Sequence, residues 1–313
     1  MANLILHHYP MSPFSEKIRA VLGFKQLAWQ SVVIPTIMPK PDLLALTGGY
    51  RKTPVLQIGA DIYCDTALIC DVLEQMAPTP SLYPAGLKGL ALITAQWADS
   101  SFFWAAMGHN MKKPGLAEVF SGAPAEVVKA FGADRLAMAQ GMTRPRPTDA
   151  TVAYRSYLRR ISDMLHGQDF LLGQAPCVAD FAVYHPVWFT RSQTPVMADI
   201  LQTTPAVLAW MDRIASLGHG QISPLTAAEA IAACAEATGA AALSNAFFQD
   251  DHGIPQGSLV SIAPESFGTD PTVGELVAAS RTRYTLRRQD IRAGVVHVHF
   301  PRVGYALKLE PTT

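Results

Sequence analysis

The chain has 313 residues, of which 49% are apolar and 16% charged, with 25 basic side chains against 25 acidic ones and no net charge. That length accommodates two domains and a small third, and the balance argues against a protein built around a nucleic acid, an anionic membrane or a strongly acidic substrate. No apolar run reaches the ~18 residues of a membrane span.

The opening residues lack a basic leader and a cleavage site, and Cys64, Cys70, Cys177 and Cys234 form neither metal-ligand pairs nor a disulfide framework. A cytoplasmic protein with reduced, buried thiols is expected. Residues 4–8 are too short an apolar run for a helix and stop at Tyr9-Pro10, so they read as a buried strand. From Ser15 onward Ile18, Val21 and Leu22 recur at helical spacing, with Glu16, Lys17 and Arg19 expected to face water. Ser12-Pro13-Phe14-Ser15 then falls at a helix mouth, where unpaired N–H groups and the positive end of the macrodipole favour an anion or a thiolate.

Residues 29–34, rich in β-branched side chains, predict a second strand ended by Pro35. A right-handed crossover joins it in parallel to the first. Residues 42–46 predict a short helix broken by Thr47-Gly48-Gly49, residues 55–58 and 61–63 a hairpin about Gly59-Ala60, and residues 66–76 an apolar-striped helix. The order is βαβαββα.

This order resembles the thioredoxin-like amino-terminal domain of the glutathione transferases, particularly their serine-, cysteine- and omega-like classes. Ser12-Pro13-Phe14 is similar to the active-site turn of those classes, and Lys17-Ile18-Arg19 to the Lys-Val-Arg that follows it. Thr53-Pro54-Val55 resembles the turn that carries a cis-proline, with threonine where valine is usual. Asp65-Thr66 resembles the pair that holds the γ-glutamyl group, and Lys40-Pro41-Asp42 the segment whose lysine meets the glycyl carboxylate. The resemblance implies a glutathione-binding domain over residues 1–80. Ser12 would be the group facing the sulfur, with Phe14 beside it, and Lys40, Thr53, Pro54, Asp65 and Thr66 would bind the tripeptide.

Each element also stands by itself. A cis bond at Pro54 turns the backbone of Thr53 outward, able to pair with a peptide as another strand would. Asp65-Thr66 opens a helix whose N–H groups and hydroxyl can grip a carboxylate while Asp65 takes an ammonium, and Lys40 offers a point charge. Taken singly, Ser12 and Ser15 also read as helix caps, Asp65 and Thr66 as a helix start and Lys40 as a solvated lysine. His8 and Tyr9, close to where tyrosine-type members carry their hydroxyl, are the rival thiol activators.

Leu82-Tyr83-Pro84 resembles the family's linker, and an all-helical domain is implied over residues 86–240. Residues 87–109 form its first long helix, carrying Trp97, Phe102, Phe103, Trp104 and Met107. The resemblance makes Trp104 and His109 candidates for the electrophile's pocket. Residues 123–140 and 149–165 predict further amphipathic helices, separated by Thr143-Arg144-Pro145-Arg146-Pro147-Thr148. Residues 170–180 resemble the family's folding signature, except that Cys177 replaces the capping serine or threonine and leaves the turn to Asp180. Pro186 is expected to kink the helix that follows, and Thr226-Ala227-Ala228-Glu229 is an intact capping box.

Over residues 250–313, short alternating runs at 259–262, 274–277, 284–287 and 294–300 predict a small β-barrel or open sheet of about five strands. Arg281, Arg283, Arg287, Arg288, Arg292 and Arg302 make this part basic, but few aromatics accompany them for stacking bases, so they read as the wet face of a sheet. His297 and His299 share a strand face without a third ligand, and no metal is assigned.

The function implied is transfer of the glutathione thiolate to a small electrophile, or a related isomerase, dehalogenase or lyase reaction. Glutathione is the co-substrate, and the resemblance implies a homodimer. Serine at position 12 argues against thiol transfer through a mixed disulfide. The alternative is a non-catalytic scaffold that keeps the fold for protein contacts.

Overall fold

Leu4 and Leu6 face one core and Ile5 the other, which is why the chain enters its first strand as an unbroken apolar run, Leu4-Ile5-Leu6. The computed structural model describes residues 3–237, 248–249 and 251–311; positions 1, 240, 250 and 313, where the expected domains begin or end, lie outside these. The first seven elements are β1 (Ile5–His8), α1 (Pro13–Phe24), β2 (Ala28–Val33), α2 (Pro41–Thr47), β3 (Val55–Ile58), β4 (Asp61–Cys64) and α3 (Thr66–Met76). Their order is the expected βαβαββα. β1 pairs in parallel with β2 and antiparallel with β3, which pairs antiparallel with β4.

The helical part contains α4 (Lys88–Trp97), α5 (Phe103–Asn110), α6 (Lys113–Val119), α7 (Ala125–Met138), α8 (Pro147–Met164), α9 (Val178–Trp188) and α10 (Pro205–Ala215). The long helix expected over 87–109 is α4 and α5 joined through a π-helical turn, Ala98–Phe102. Pro186 lies inside α9, which passes into a second π turn at Phe189–Gln193. Contrary to expectation, Cys177 and Asp180 form a complete capping box at the turn before α9, the thiol facing the Asp180 N–H. Asp180 Oδ1 accepts from the Leu171 N–H and Trp210 Nε1, and its Oδ2 from the Cys177 N–H and thiol. The thiol that replaces the usual hydroxyl thus donates to Asp180.

After β5 (Gln221–Pro224) and α11 (Ala227–Glu236) come β6 (Leu259–Pro264), β7 (Thr272–Ala279), β8 (Arg283–Asp290), β9 (Gly294–Pro301) and β10 (Tyr305–Leu309). Thr226 and Glu229 form the expected capping box of α11. The five carboxy-terminal strands do not stand off as a separate barrel. β9 pairs in parallel with β4, giving one ten-stranded sheet of order β10-β6-β7-β8-β9-β4-β3-β1-β2-β5.

The two faces of that sheet bury different cores. On one, Leu6, Leu56 and Tyr63 pack with Ile18 and Leu22 of α1, Ile69 and Leu73 of α3, and Phe102, Phe181 and Trp210 of the helical part. On the other, Ile5, Val55, Ile62 and Cys64 pack with Leu43 and Leu46 of α2, Ile231 of α11, and Ile262, Leu286, Val298 and Phe300 of the added strands. The added strands therefore complete the second core.

Polar contacts hold this layer to the loop after α2. The Thr272 hydroxyl accepts from the Tyr50 N–H at 3.2 Å and lies 3.0 Å from the Thr47 carbonyl, to which it donates. A Cβ on Gly49 would meet the Pro271 carbonyl oxygen at 1.9 Å, so the two backbones touch only because residue 49 has no side chain. Thr272→Val leaves a buried N–H and a buried carbonyl without partners and is expected to cost roughly 2–4 kcal/mol, read from urea unfolding. A loss below about 0.5 kcal/mol contradicts this role of the hydroxyl.

Candidate functional site

Strand register sets the site. His7 of β1 lies opposite Val55 of β3, and Val55 opposite Cys64 of β4. The chain therefore leaves β1, enters β3 and leaves β4 at one end of the sheet. The segments just beyond that row, 9–12, 53–54 and 65–66, converge there. The Thr53–Pro54 bond is cis, as expected.

Ser12 is the N-cap of α1. Its Oγ accepts from the Ser15 N–H at 3.2 Å, and its own proton has no acceptor among the described residues. Ser15, read as a possible cap from sequence, lies inside the helix, where its buried Oγ has no partner among the described residues. Phe14 turns its ring onto Phe103 and His185 of the helical part, with centroids 4.8 and 4.5 Å away.

The charges on α1 depart from expectation, because Glu16, Lys17 and Arg19 are all buried. Glu16 accepts from Arg19 and pairs with His219, and Arg19 donates to the Pro10 carbonyl at 2.8 Å. These residues brace the turn that carries Ser12. Arg19 Nη1 also lies 3.1 Å from His8 Nδ1, and His8 Nε2 lies 2.8 Å from the Ser31 hydroxyl. Burial, with the Arg19 charge, lowers the His8 pKa to about 4, so both ring nitrogens of a neutral imidazole are engaged. That occupancy speaks against His8 as the thiol activator. His7, bonded to Gln57, is likewise lowered to about 4 by burial.

Asp65 caps α3 by accepting from the Ala67 N–H, and it does so at φ 78°, a backbone region that non-glycine residues avoid. The Thr66 hydroxyl accepts from Lys17 Nζ at 3.0 Å. Lys17 also pairs with Asp99 at 2.5 Å, and Asp99 Oδ1 accepts from His185 Nε2 at 2.9 Å. The Lys17 side chain is 0% exposed and that of Asp99 is 19% exposed, so water screens the pair little. Despite burial, Asp99 holds the Lys17 pKa above its usual value.

Lys40 Nζ donates to the Arg51 carbonyl at 3.1 Å and lies 3.4 Å from the Thr53 hydroxyl, above the Tyr9 ring. Burial and the charges of Arg135 and Arg51 lower its pKa to about 8, against Asp134. Asp134 of α7 binds Arg51 and accepts from the Met38 N–H, while Arg135 reaches the Tyr9 hydroxyl and the Thr36 carbonyl. Helix α7 thus closes over the turn that carries Lys40.

Trp104 packs edge-on against Phe267, on the loop between β6 and β7, and carries the Arg144 guanidinium over its ring. His109 belongs to a different group. Its nitrogens contact the Thr151 hydroxyl and the Met197 carbonyl, inside the helical core. A cavity of about 320 Å3 between α1, α9 and α10 touches none of the expected glutathione ligands. The carboxylates in its wall are already paired, Glu16 with Arg19 and Asp212 with Arg191.

Comparison with known proteins bears on this geometry. Residues 6–81 match the glutathione S-transferase N-terminal domain and residues 147–219 the C-terminal domain. A crystal structure of a GST-like protein from Pseudomonas syringae is 44% identical and superposes with a TM-score of 0.81, covering 99% of this chain and 100% of that one. The chain belongs to the glutathione S-transferase family. Among curated relatives, pyrimidodiazepine synthase of Drosophila melanogaster is 33% identical over 86 residues, 26% of this chain and 35% of that protein. FtsZ-localized protein A of Caulobacter vibrioides is 26% identical over 186 residues, 56% of this chain and 72% of that protein.

Within this fold, the sequence reading missed Asp99 and His185. Only Asp99 left a trace, as the one acidic residue between Lys88 and Lys112 in an otherwise apolar-rich stretch. Asp99→Asn leaves the Lys17 ammonium buried without its counter-charge and is expected to cost roughly 3–5 kcal/mol, with the Lys17→Met/Asp99→Leu double variant recovering most of it. A double-mutant cycle in urea checks this, and additive losses contradict it. His7 gives a pH signature. Its folded pKa lies below the ordinary one, so its contribution is complete above about pH 6.5 and is lost as pH falls towards 4, by up to about 3 kcal/mol. Unfolding midpoints that stay level between neutrality and pH 4.5 contradict that burial.

Proposed function

We propose that the protein is a glutathione-dependent transferase in which Ser12 stabilises the glutathione thiolate for attack on a small electrophile. The observation that carries the reading is the Ser12 hydroxyl at the mouth of α1. Its oxygen accepts from the Ser15 N–H and its proton is uncommitted among the described residues. A free thiol titrates near 8.5, so only a few per cent is ionised at neutrality. Lowering that value by one or two units takes about 1.4–2.8 kcal/mol. A hydrogen bond to a charged partner, about 1.5–3 kcal/mol, and a helix terminus, about 0.3–1 kcal/mol, supply that range. Ser12 is 2% exposed, and a hydrogen bond to sulfur shielded from water is stronger than an exposed one.

In this reading the tripeptide lies across the converging segments, with its γ-glutamyl end at Asp65 and the start of α3, its cysteinyl backbone against Thr53 and Pro54, and its glycyl carboxylate towards Lys40. Phe14 positions the turn through its contacts with Phe103 and His185. The thiolate forms the new bond to the electrophilic carbon, whose leaving group departs with the bonding pair, and Ser12 remains neutral throughout. Trp104 and Phe267 supply an aromatic wall for the electrophile, whereas the contacts of His109 point to a role inside the helical core. Exposed Leu90 and Ile93 on α4, 50% and 68% accessible, support a homodimer that covers them. Four buried free cysteines are in keeping with a reducing cytoplasm.

A second reading, a scaffold without catalysis, is favoured by the likeness to FtsZ-localized protein A over 56% of this chain. Retention on immobilised glutathione separates the two. For the transferase, Ser12→Ala is expected to lower kcat/KM for conjugation to a halogenated arene about 10- to 100-fold. The ultraviolet thiolate band of bound glutathione should fall with it. Equal activity of the two proteins removes Ser12 from the chemistry.

A further inference from the structure

Tyr305 OH, on the first residue of β10, lies 3.0 Å from Asp65 Oδ2 and 3.4 Å from Tyr50 OH. A phenol has one proton, so Tyr305 donates to the carboxylate and accepts from Tyr50. Both phenols have pKa values raised well above the ordinary one by burial and then by the Asp65 charge, so both remain donors. The same two rings flank Lys52, whose ammonium stands 5.3 Å from the Tyr305 ring centre and 5.7 Å from that of Tyr50. Phe300 of β9 packs against both rings and fixes their planes. These contacts join the carboxy-terminal strands to the one acidic residue that the glutathione reading assigns to an ammonium.

We propose that the carboxy-terminal strands complete the γ-glutamyl subsite, with Tyr305 as a positioning residue that orients Asp65 towards the ligand's α-ammonium and Lys52 as the cation beside it for the α-carboxylate. The inference rests on the glutathione reading and goes beyond it by making the added strands part of the binding site. The arrangement matches the two charges of an amino-acid head. A carboxylate offers about four lone-pair directions; the Ala67 N–H and Tyr305 take two, which leaves capacity for an ammonium. A neutral phenol fixes the carboxylate without cancelling its charge, which an arginine in the same place would do. Held at φ 78°, Asp65 gains from a second tether that keeps its side chain in one orientation. Lys52 is confined by two aromatic faces, so it pays little further entropy on meeting an anion.

Titration calorimetry with two ligands tests this. One is glutathione; the other is glutaryl-cysteinyl-glycine, which lacks only the α-ammonium. The wild type is expected to bind glutathione more tightly. Tyr305→Phe, which keeps the ring, should weaken glutathione roughly three- to tenfold and leave the analogue within about twofold, because only the ammonium is read through Asp65. Tyr50→Phe should show the same selectivity at smaller amplitude, and it carries the test if Tyr305→Phe does not fold. Equal losses for both ligands mean that the hydroxyl supports only packing, and no loss for either means that it is idle; each overturns the inference while leaving the transferase reading intact. A wild-type protein that binds neither ligand overturns both.

Discussion

One buried ammonium fixes how the sheet meets the helices. Lys17 leaves α1, donates to Thr66 at the start of α3 and pairs with Asp99 at the junction of α4 and α5. Burying such a charge costs several kcal/mol, and a hydrophobic contact would hold α1 at least as firmly. What an apolar patch lacks is direction. It tolerates rotation of α1 about its axis, whereas an ion pair with a hydroxyl on a third element does not. Since Ser12 caps α1 and Asp65 caps α3, the same ammonium sets the two helix mouths relative to one another.

The added strands solve one problem and create an opportunity. Left alone, β4 would offer unpaired N–H and C=O groups along the edge of the amino-terminal sheet. β9 covers that edge in parallel register, Ile62 opposite Val298. β10 then stands five places along the strand order from β4, yet Tyr305 of β10 touches Asp65, one residue beyond β4. A flat sheet cannot do this at a strand spacing of about 4.8 Å. The five strands must curl back, helped by the irregular register of β7 between Leu276 and Ala278. By hydrogen bonding the layer is an open sheet; by side-chain contact it closes.

What was legible in the sequence follows from period and punctuation. Tyr9-Pro10, Pro35 and Thr47-Gly48-Gly49 stop their elements because proline and glycine act on the backbone locally, whatever lies beyond. The charges on α1 misled, because Glu16, Lys17 and Arg19 look like a solvated face until their partners are known. Those partners, His219, Asp99 and the Pro10 carbonyl, lie on other segments, two of them far along the chain. The π turn at Ala98–Phe102 leaves the apolar period almost intact, so periodicity does not reveal it. The union of two sheets was hidden for a similar reason. A strand that pairs with a distant edge reads the same as one that pairs with its neighbour.

Several departures from local rules meet in one part of this molecule, although Gln26, Asn110, His297 and Arg302 show others elsewhere. Asp65 holds a positive φ, Lys17 is a fully buried lysine, and Ser15 Oγ and His185 Nδ1 are buried without partners among the described residues. All four belong to one neighbourhood: Ser15 and Lys17 lie in the first turns of α1, Asp65 caps α3, and His185 is tied to Lys17 through Asp99. Most of the sheet buries apolar side chains on both faces. Folding alone rewards none of these departures, since strained backbone, desolvated charge and unsatisfied polar atoms all lower stability. Ser15, Lys17 and Asp65 thereby stand at two helix mouths, where fixed dipoles favour negative charge and, at Asp65, offset part of that cost.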